Sequence, residues 1–179
     1  MPKYVAFLRA INVGGHTVKM DHLRLMFEAM GLQNVETFIA SGNVIFDSTA
    51  RNTKSLEKKI EDFLQKRLGY EVATFIRSTS EIANIARYKP FRDAELSREG
   101  HVLYIGFMAD TPIDESRQKL HSFSTEVEEL QVFEREVYWL HRRNVGESAL
   151  SGALIEKMLG MRATLRNSNT VKRIASKYA

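Results

Sequence analysis

The sequence contains no cysteine. Disulfides, thiolate zinc sites and cysteine nucleophiles are therefore excluded, and an intracellular compartment is the expected one. The chain also lacks any run of about eighteen apolar residues, so no segment is predicted to span a bilayer as a helix. Its first apolar run, residues 4–8, is interrupted by Arg9 and is too short for a signal peptide. These absences predict a soluble, cytoplasmic protein that does not enter a membrane.

Metal and nucleotide signatures are missing as well. The five histidines form no i, i+4 pair and no His-Glu-x-x-His run, so no metal site is predicted. Neither a P-loop nor the Gly-x-Gly-x-x-Gly spacing of dinucleotide-binding proteins occurs. We predict no cofactor, and these patterns leave open whether the protein is an enzyme.

What is present is an α+β pattern that occurs twice. The 179 residues are 44% hydrophobic, which is enough to fill a core. Residues 1–90 read β-α-β-β-α-β, the order of a ferredoxin-like unit. Residues 101–179 repeat this order, with a short fourth strand expected near residues 161–165 and an extra C-terminal helix from about Ser168. Two ferredoxin-like halves, joined by a linker at 91–100, are therefore predicted, and the repeated order suggests internal duplication.

Helix boundaries are predicted from capping residues. Asp21 is expected to cap the first helix, and Thr111-Pro112 to supply the N-cap and first residue of a later one. Ser78 and Glu81 have the spacing of a capping box. Each of these assignments depends only on local side-chain chemistry.

The positive charge is concentrated toward the C-terminus. The net charge is +4, but residues 142–179 hold eight Lys or Arg and two Glu, which leaves −2 for the remainder. This asymmetry favours an anionic ligand or partner near the C-terminal segment. A solvated basic helix face is the alternative interpretation.

Three segments resemble a known bacterial family. They are residues 4–15 with Met20 and Leu23 following, residues 37–46 around Ser41-Gly42-Asn43-Val44, and residues 164–171. Together they resemble the family of domain of unknown function 1697. The resemblance implies an α+β fold built of ferredoxin-like units and no agreed activity, substrate or catalytic residue. Relatives often carry tryptophan after the Arg-Asn pair, where this chain has Ser168.

The same segments supply the predicted ligand-binding residues. Paired glycines allow backbone N–H groups to converge on an anion, and an arginine before a helix can bind phosphate or carboxylate. A tight turn, a hairpin turn and helix capping explain the same residues without a ligand. The candidates are Arg9, Asn12, Gly14, Gly15, His16, Lys19, Ser41, Asn43, Arg166 and Asn167.

Three functions follow as hypotheses. A small anionic or phosphorylated ligand binds where the three segments converge, with His16 and Ser41 as the only side chains offered for catalysis. A nucleic-acid-binding module is the second, although the strand of residues 42–47 lacks the paired stacking aromatics of an RNA-binding sheet. A non-catalytic association protein is the third. The sequence predicts no oligomeric state.

Overall fold

The structure, a computed structural model, describes residues 1–142, 148 and 150–179. They form two compact units. The first comprises Met1–Asn84 with Ile174–Ala179, and the second comprises Ile85–Arg173. Part of the basic C-terminal segment, residues 143–147 and 149, lies outside the described residues.

The first unit is a four-stranded antiparallel sheet with two helices on one face. Alternate residues of its central strand, among them Ala6 and Leu8, are buried against both helices, as a period of two requires. The strand order is β2-β3-β1-β4, which confirms the ferredoxin-like prediction. Its elements are β1 (Lys3–Leu8), α1 (Met20–Ala29), β2 (Gln33–Thr37), β3 (Asn43–Asp47), α2 (Thr53–Leu68), β4 (Thr74–Ser78) and the following α3 (Thr79–Arg87).

The second unit has the same architecture. Its strand order is β6-β7-β5-β8, and Leu130, Val137, Ile155 and Met158 are among the residues of its helix-facing core. The fourth strand that the sequence predicts is present, about two residues later than expected. The elements are α4 (Asp93–Leu96), β5 (His101–Met108), α5 (Asp114–Ser122), β6 (Glu128–Phe133), β7 (Glu136–Arg142), α6 (Gly152–Leu159), β8 (Ala163–Asn167) and α7 (Ser168–Tyr178).

The two sheets also share their register. Val5 lies between Ile45 and Arg77 on its neighbouring strands, and Ile105 lies between Tyr138 and Arg166. The two arginines are at matching positions, are almost fully buried, and each donates from Nη1 to the carbonyl of the residue before it, at 2.9 and 3.0 Å. The two halves are therefore alike in element order and strand order, and in the register of β1, β3 and β4 against β5, β7 and β8; β2–β3 has a register shift that β6–β7 lacks.

Carboxylates cover the outer edge of β4. The N–H groups of Thr74, Ile76 and Ser78, which face away from β1, donate to Glu61 at 2.9 Å, Glu57 at 2.7 Å and Glu81 at 2.7 Å respectively. An edge strand with its donors occupied cannot pair readily with another strand.

At the outer edge of β8 the described residues make one such bond, from Ala163 N–H to Glu156 at 2.9 Å. Gly152 and Thr170 stand where the first half has its other two glutamates. Within the part of the chain that the structure describes, no carboxylate accepts from the N–H of Leu165 or Asn167.

The segment predicted as a linker is folded into the second unit. It contains α4, and Glu95 accepts hydrogen bonds from its neighbours: its carbonyl pairs with His101 Nδ1 at 2.8 Å and its carboxylate with Arg142 Nε at 3.0 Å. The second of these bonds lowers the pKa of the Glu95 carboxyl. The observed division accordingly lies earlier in the chain, at Asn84–Ile85.

Two predicted helix starts are wrong and one is confirmed. Lys19, and not Asp21, precedes the first residue of α1, so Asp21 lies in the first turn. Ile113 is the N-cap of α5, which begins two residues after Pro112. Threonine and proline favour a helix start at their own positions, but the first helical residue can lie one or two residues away from such a signal. The capping box is present, because Ser78 Oγ accepts from Glu81 N–H at 3.2 Å.

Among the described residues, none of the helices combines the length and the apolar character needed to cross a membrane.

Candidate functional site

Two of the three predicted segments meet in the first unit. Asn12 Nδ2 donates to the Ala40 carbonyl at 3.2 Å, and Asn12 Oδ1 accepts from Val18 N–H at 2.6 Å. One side chain thus ties the glycine-rich loop to the β2–β3 hairpin. Asn43 is fully buried and donates to the Phe38 carbonyl and to Ser41 Oγ, each at 2.9 Å. The side-chain amide of Asn12 therefore links the glycine-rich loop to the hairpin, and that of Asn43 stabilises the hairpin itself.

The glycines of these segments have different surroundings. Gly14 and Gly15 both have positive φ, +69° and +85°, and no atom would lie within 4 Å of an added Cβ. Gly42 has φ +75°, and an added Cβ would lie 2.7 Å from Ile11 Cγ2 and 3.1 Å from Leu8 Cβ. Of these three positions, only position 42 requires glycine for close packing as well as for backbone conformation.

The polar residues that border this loop are more open. His16 is exposed and stacks on Tyr70, with ring centroids 3.8 Å apart, while Tyr70 Oη donates to the Ile11 carbonyl at 3.2 Å. Burial raises the pKa of the Tyr70 phenol. Lys19 is exposed, and Arg9 is half-buried at the end of β1. The role of these residues in ligand binding stays a prediction.

Arg166 and Asn167 lie in the second unit and differ in setting. Arg166 is 7% exposed, and Nη1 donates to Thr164 Oγ1 at 2.8 Å besides the Leu165 carbonyl. Burial lowers the pKa of its guanidinium to about 10, which still leaves it charged at neutral pH. Asn167 Oδ1 accepts from Asn169 N–H at 2.9 Å, so Asn167 supplies the side-chain bond at the start of α7.

Two adjoining cavities open beside the start of α7 in the second unit. The larger, of about 530 Å³, is within the size range of small-molecule sites. The smaller, of about 120 Å³, includes Asn167 in its lining. We call the pair the α7 groove; both cavities share Leu96, Leu103, Ser168 and Lys172.

Cations predominate among the charged groups of the α7 groove. Of the described residues, Arg87, Lys89 and Lys172 line the larger cavity with a single carboxylate, Asp93, which pairs with Lys89 at 2.9 Å. No acidic residue within the described ranges lines the smaller cavity. Lys172 has no ion-pair partner among the described residues. The groove therefore favours negative charge near Lys172.

Ser168 lies where the two cavities meet. It is the first residue of α7 and is 8% exposed. Within the described residues its Oγ has no hydrogen-bond partner, because the capping acceptor comes from Asn167.

The sequence analysis missed most residues of the α7 groove. Ser168 and Lys172 lie four positions apart and so share one face of a helix, which is a pattern that the sequence contains. Arg87 and Lys89 flank Tyr88 just before Pro90. Their proximity to β5 follows from the fold and has no local signature.

Comparisons with known proteins place the chain in a family and support the fold. A chain described as the conserved bacterial protein SP0830 from Streptococcus pneumoniae is similar in structure, with a TM-score of 0.76 and 22% identity over 98% of this chain and 97% of that one. None of the curated proteins matches this chain. The model of the family described as "protein of unknown function (DUF1697)" matches residues 1–138, and thus two of the three resembling segments. The chain belongs to this family.

Proposed function

We propose that the protein binds a small anionic ligand in the α7 groove. The observation that carries the proposal is the excess of cations over carboxylates around a cavity of about 530 Å³. A concave site with a few convergent polar groups is the usual form of a small-molecule site. The anionic class agrees with the sequence-based hypothesis, while the position is new.

Apolar side chains form much of the remaining wall. Ile85, Leu96, Leu103 and Ile105 contribute hydrocarbon surface, and Ile105 is almost fully buried in β5. Low-polarity walls strengthen the attraction between a bound anion and nearby cations, because less water screens the charges. The side chains of the groove can therefore favour anionic ligands over neutral ones.

Lys172→Met tests the proposal, with Lys177→Met as the matched control. Both lysines are exposed on α7 and each substitution removes one charge, but Lys177 pairs with Glu36 of the first unit at 3.1 Å and does not line the groove. Melting temperatures are measured with and without inorganic phosphate, pyrophosphate and citrate. A ligand at 100 times its Kd stabilises a protein by about 2.7 kcal/mol.

We expect at least one anion to stabilise the wild type and the Lys177→Met variant to a similar extent, and to stabilise Lys172→Met much less. Equal stabilisation of all three proteins would show that the anion binds elsewhere. Absence of stabilisation in the wild type by every anion would contradict the proposed function.

A further inference from the structure

We infer that the ligand of the α7 groove is an organic phosphomonoester, with its phosphate in the smaller cavity and its organic part in the larger one. This inference rests on the proposed function and assigns the ligand's two parts to two places. It is carried by Ser168, a residue only 8% exposed whose hydroxyl has no partner among the described residues, by the start of α7 and by the difference between the two cavities.

The smaller cavity has the donors that a phosphate requires. The first N–H groups of a helix have no partner within the helix, and its N-terminus has a partial positive charge. The N–H of Asn169 is taken by Asn167 Oδ1, whereas Ser168 Oγ has no partner among the described residues. One turn later, Lys172 adds a full positive charge to the same cavity.

Ser168 is an independent sign of a polar ligand. The residue is 8% exposed and its Oγ has no partner among the described residues, so its hydroxyl is available to donate to a bound group. Ser168 lines both cavities, so a group bound between them is within its reach. A phosphate oxygen would accept this hydrogen bond.

The larger cavity is suited to the organic part. Its volume of about 530 Å³ is several times that of the smaller one, and it is lined by Ile85, Ala86, Leu103 and Ile105 beside the charged groups at its border. Inorganic phosphate would leave this surface in contact with water. A phosphomonoester with an apolar ring system would cover it, which adds a hydrophobic contribution to the charge interaction.

The test uses 1-naphthyl phosphate, with inorganic phosphate and 1-naphthol as its two parts, and isothermal titration of the full chain. We expect 1-naphthyl phosphate to bind at least tenfold more tightly than either part. Ser168→Ala should weaken the binding of 1-naphthyl phosphate by about tenfold or more, as expected for the loss of a hydrogen bond to a charged group. The affinity for 1-naphthol should stay unchanged.

The outcomes separate this inference from the proposed function. If inorganic phosphate binds as tightly as 1-naphthyl phosphate and both depend on Lys172, the anion site stands and the organic part is wrongly assigned. If Ser168→Ala has no effect while Lys172→Met does, the phosphate position is wrong. If neither phosphate compound binds, both proposals fail. Ser168→Thr keeps the hydroxyl, and we expect it to retain more affinity than Ser168→Ala.

Discussion

Gly42 is confined by both its backbone conformation and its neighbours. A positive φ costs an L-residue about 1–2 kcal/mol, and a Cβ at this position would overlap Ile11 and approach Leu8. Two strand-end contacts depend on this turn, because Leu8 N–H donates to the Gly42 carbonyl at 2.8 Å and Asn43 is buried beside it.

We predict that Gly42→Ala lowers the free energy of unfolding by about 2–5 kcal/mol, the sum of backbone strain and overpacking. Gly15→Ala is the control, since its φ is also positive but its surroundings are open. It should cost only the backbone part, about 1–2 kcal/mol. Urea unfolding measures both, and equal losses would show that packing at Gly42 is unimportant.

Asp47 shows how a single carboxylate links three strands. Its Oδ1 accepts from Lys3 Nζ at 2.8 Å, and its Oδ2 accepts from Asn34 Nδ2 at 2.7 Å. These bonds, the one from Lys3 above all, lower the pKa of Asp47 below its usual value of 3.8. Because the folded pKa is the lower one, the stabilisation is complete above the unfolded pKa and is lost as pH falls through the folded pKa.

We predict that Asp47→Asn lowers the melting temperature at pH 6–7, and that the difference from the wild type shrinks below about pH 4. Glu99→Gln is the control, because Glu99 is exposed and has no ion-pair partner among the described residues. Melting curves between about pH 2 and pH 7 measure the effect. A difference that stayed constant over this range would rule out an electrostatic origin.

At the scale of elements, α2 stabilises β4 through buried carboxylate bonds. Glu57 is 6% exposed and accepts from the N–H of Ile76, itself fully buried. A sequence-based assignment places glutamate on the solvent face of a helix, as it is in most amphipathic helices. Here the helix turns Glu57 and Glu61 toward a strand edge, which only the packed structure defines.

We predict that Glu57→Ala destabilises the first unit by about 1–3 kcal/mol, because a buried N–H loses its acceptor. Glu57→Gln keeps an oxygen at the same position and should cost less. Amide exchange of Ile76 should become faster in Glu57→Ala and change less in Glu57→Gln. If the two variants behaved alike, the hydrogen bond would not be the source of the stability.

Elements with a clear periodicity of hydrophobic residues were predicted from the sequence, whereas the residues at which they begin and end were not. Leu56, Ile60 and Leu64 mark the buried face of α2 at helical spacing, and all three are in the core. The start of α1 at Met20 contradicts the capping signal of Asp21. The helix begins directly after Lys19, which makes no side-chain cap, and a single capping residue is too weak a signal to exclude this.

For the whole molecule, the repeated order of elements predicted both ferredoxin-like units, but their boundary depended on contacts. Residues 91–100 look like a linker because they are charged and rich in turns. The fold uses the same residues, such as Glu95, as hydrogen-bond partners of the second unit. Long-range pairing of this kind has no signature within a short window of sequence.

The positive charge near the candidate site was predictable from the sequence, and the position of the groove was less so. The excess of C-terminal cations indicated an anionic partner, and Asn167 was among the predicted residues. Arg87 and Lys89 come from a segment about eighty residues earlier in the chain. Only the assembly of the second unit brings that segment beside Ser168, so a reading of local motifs could not have included it.

The unequal outer edges of the two sheets have a consequence for synthesis of the chain. All three carboxylates that cover β4 belong to the first 84 residues, so this edge is closed as soon as the N-terminal half has folded on the ribosome. While the second half is being synthesised, the edge of β4 is therefore not available to pair with strands of other nascent chains. β8 is synthesised after this edge has closed, so the edges of the two sheets are not open to such encounters at the same time.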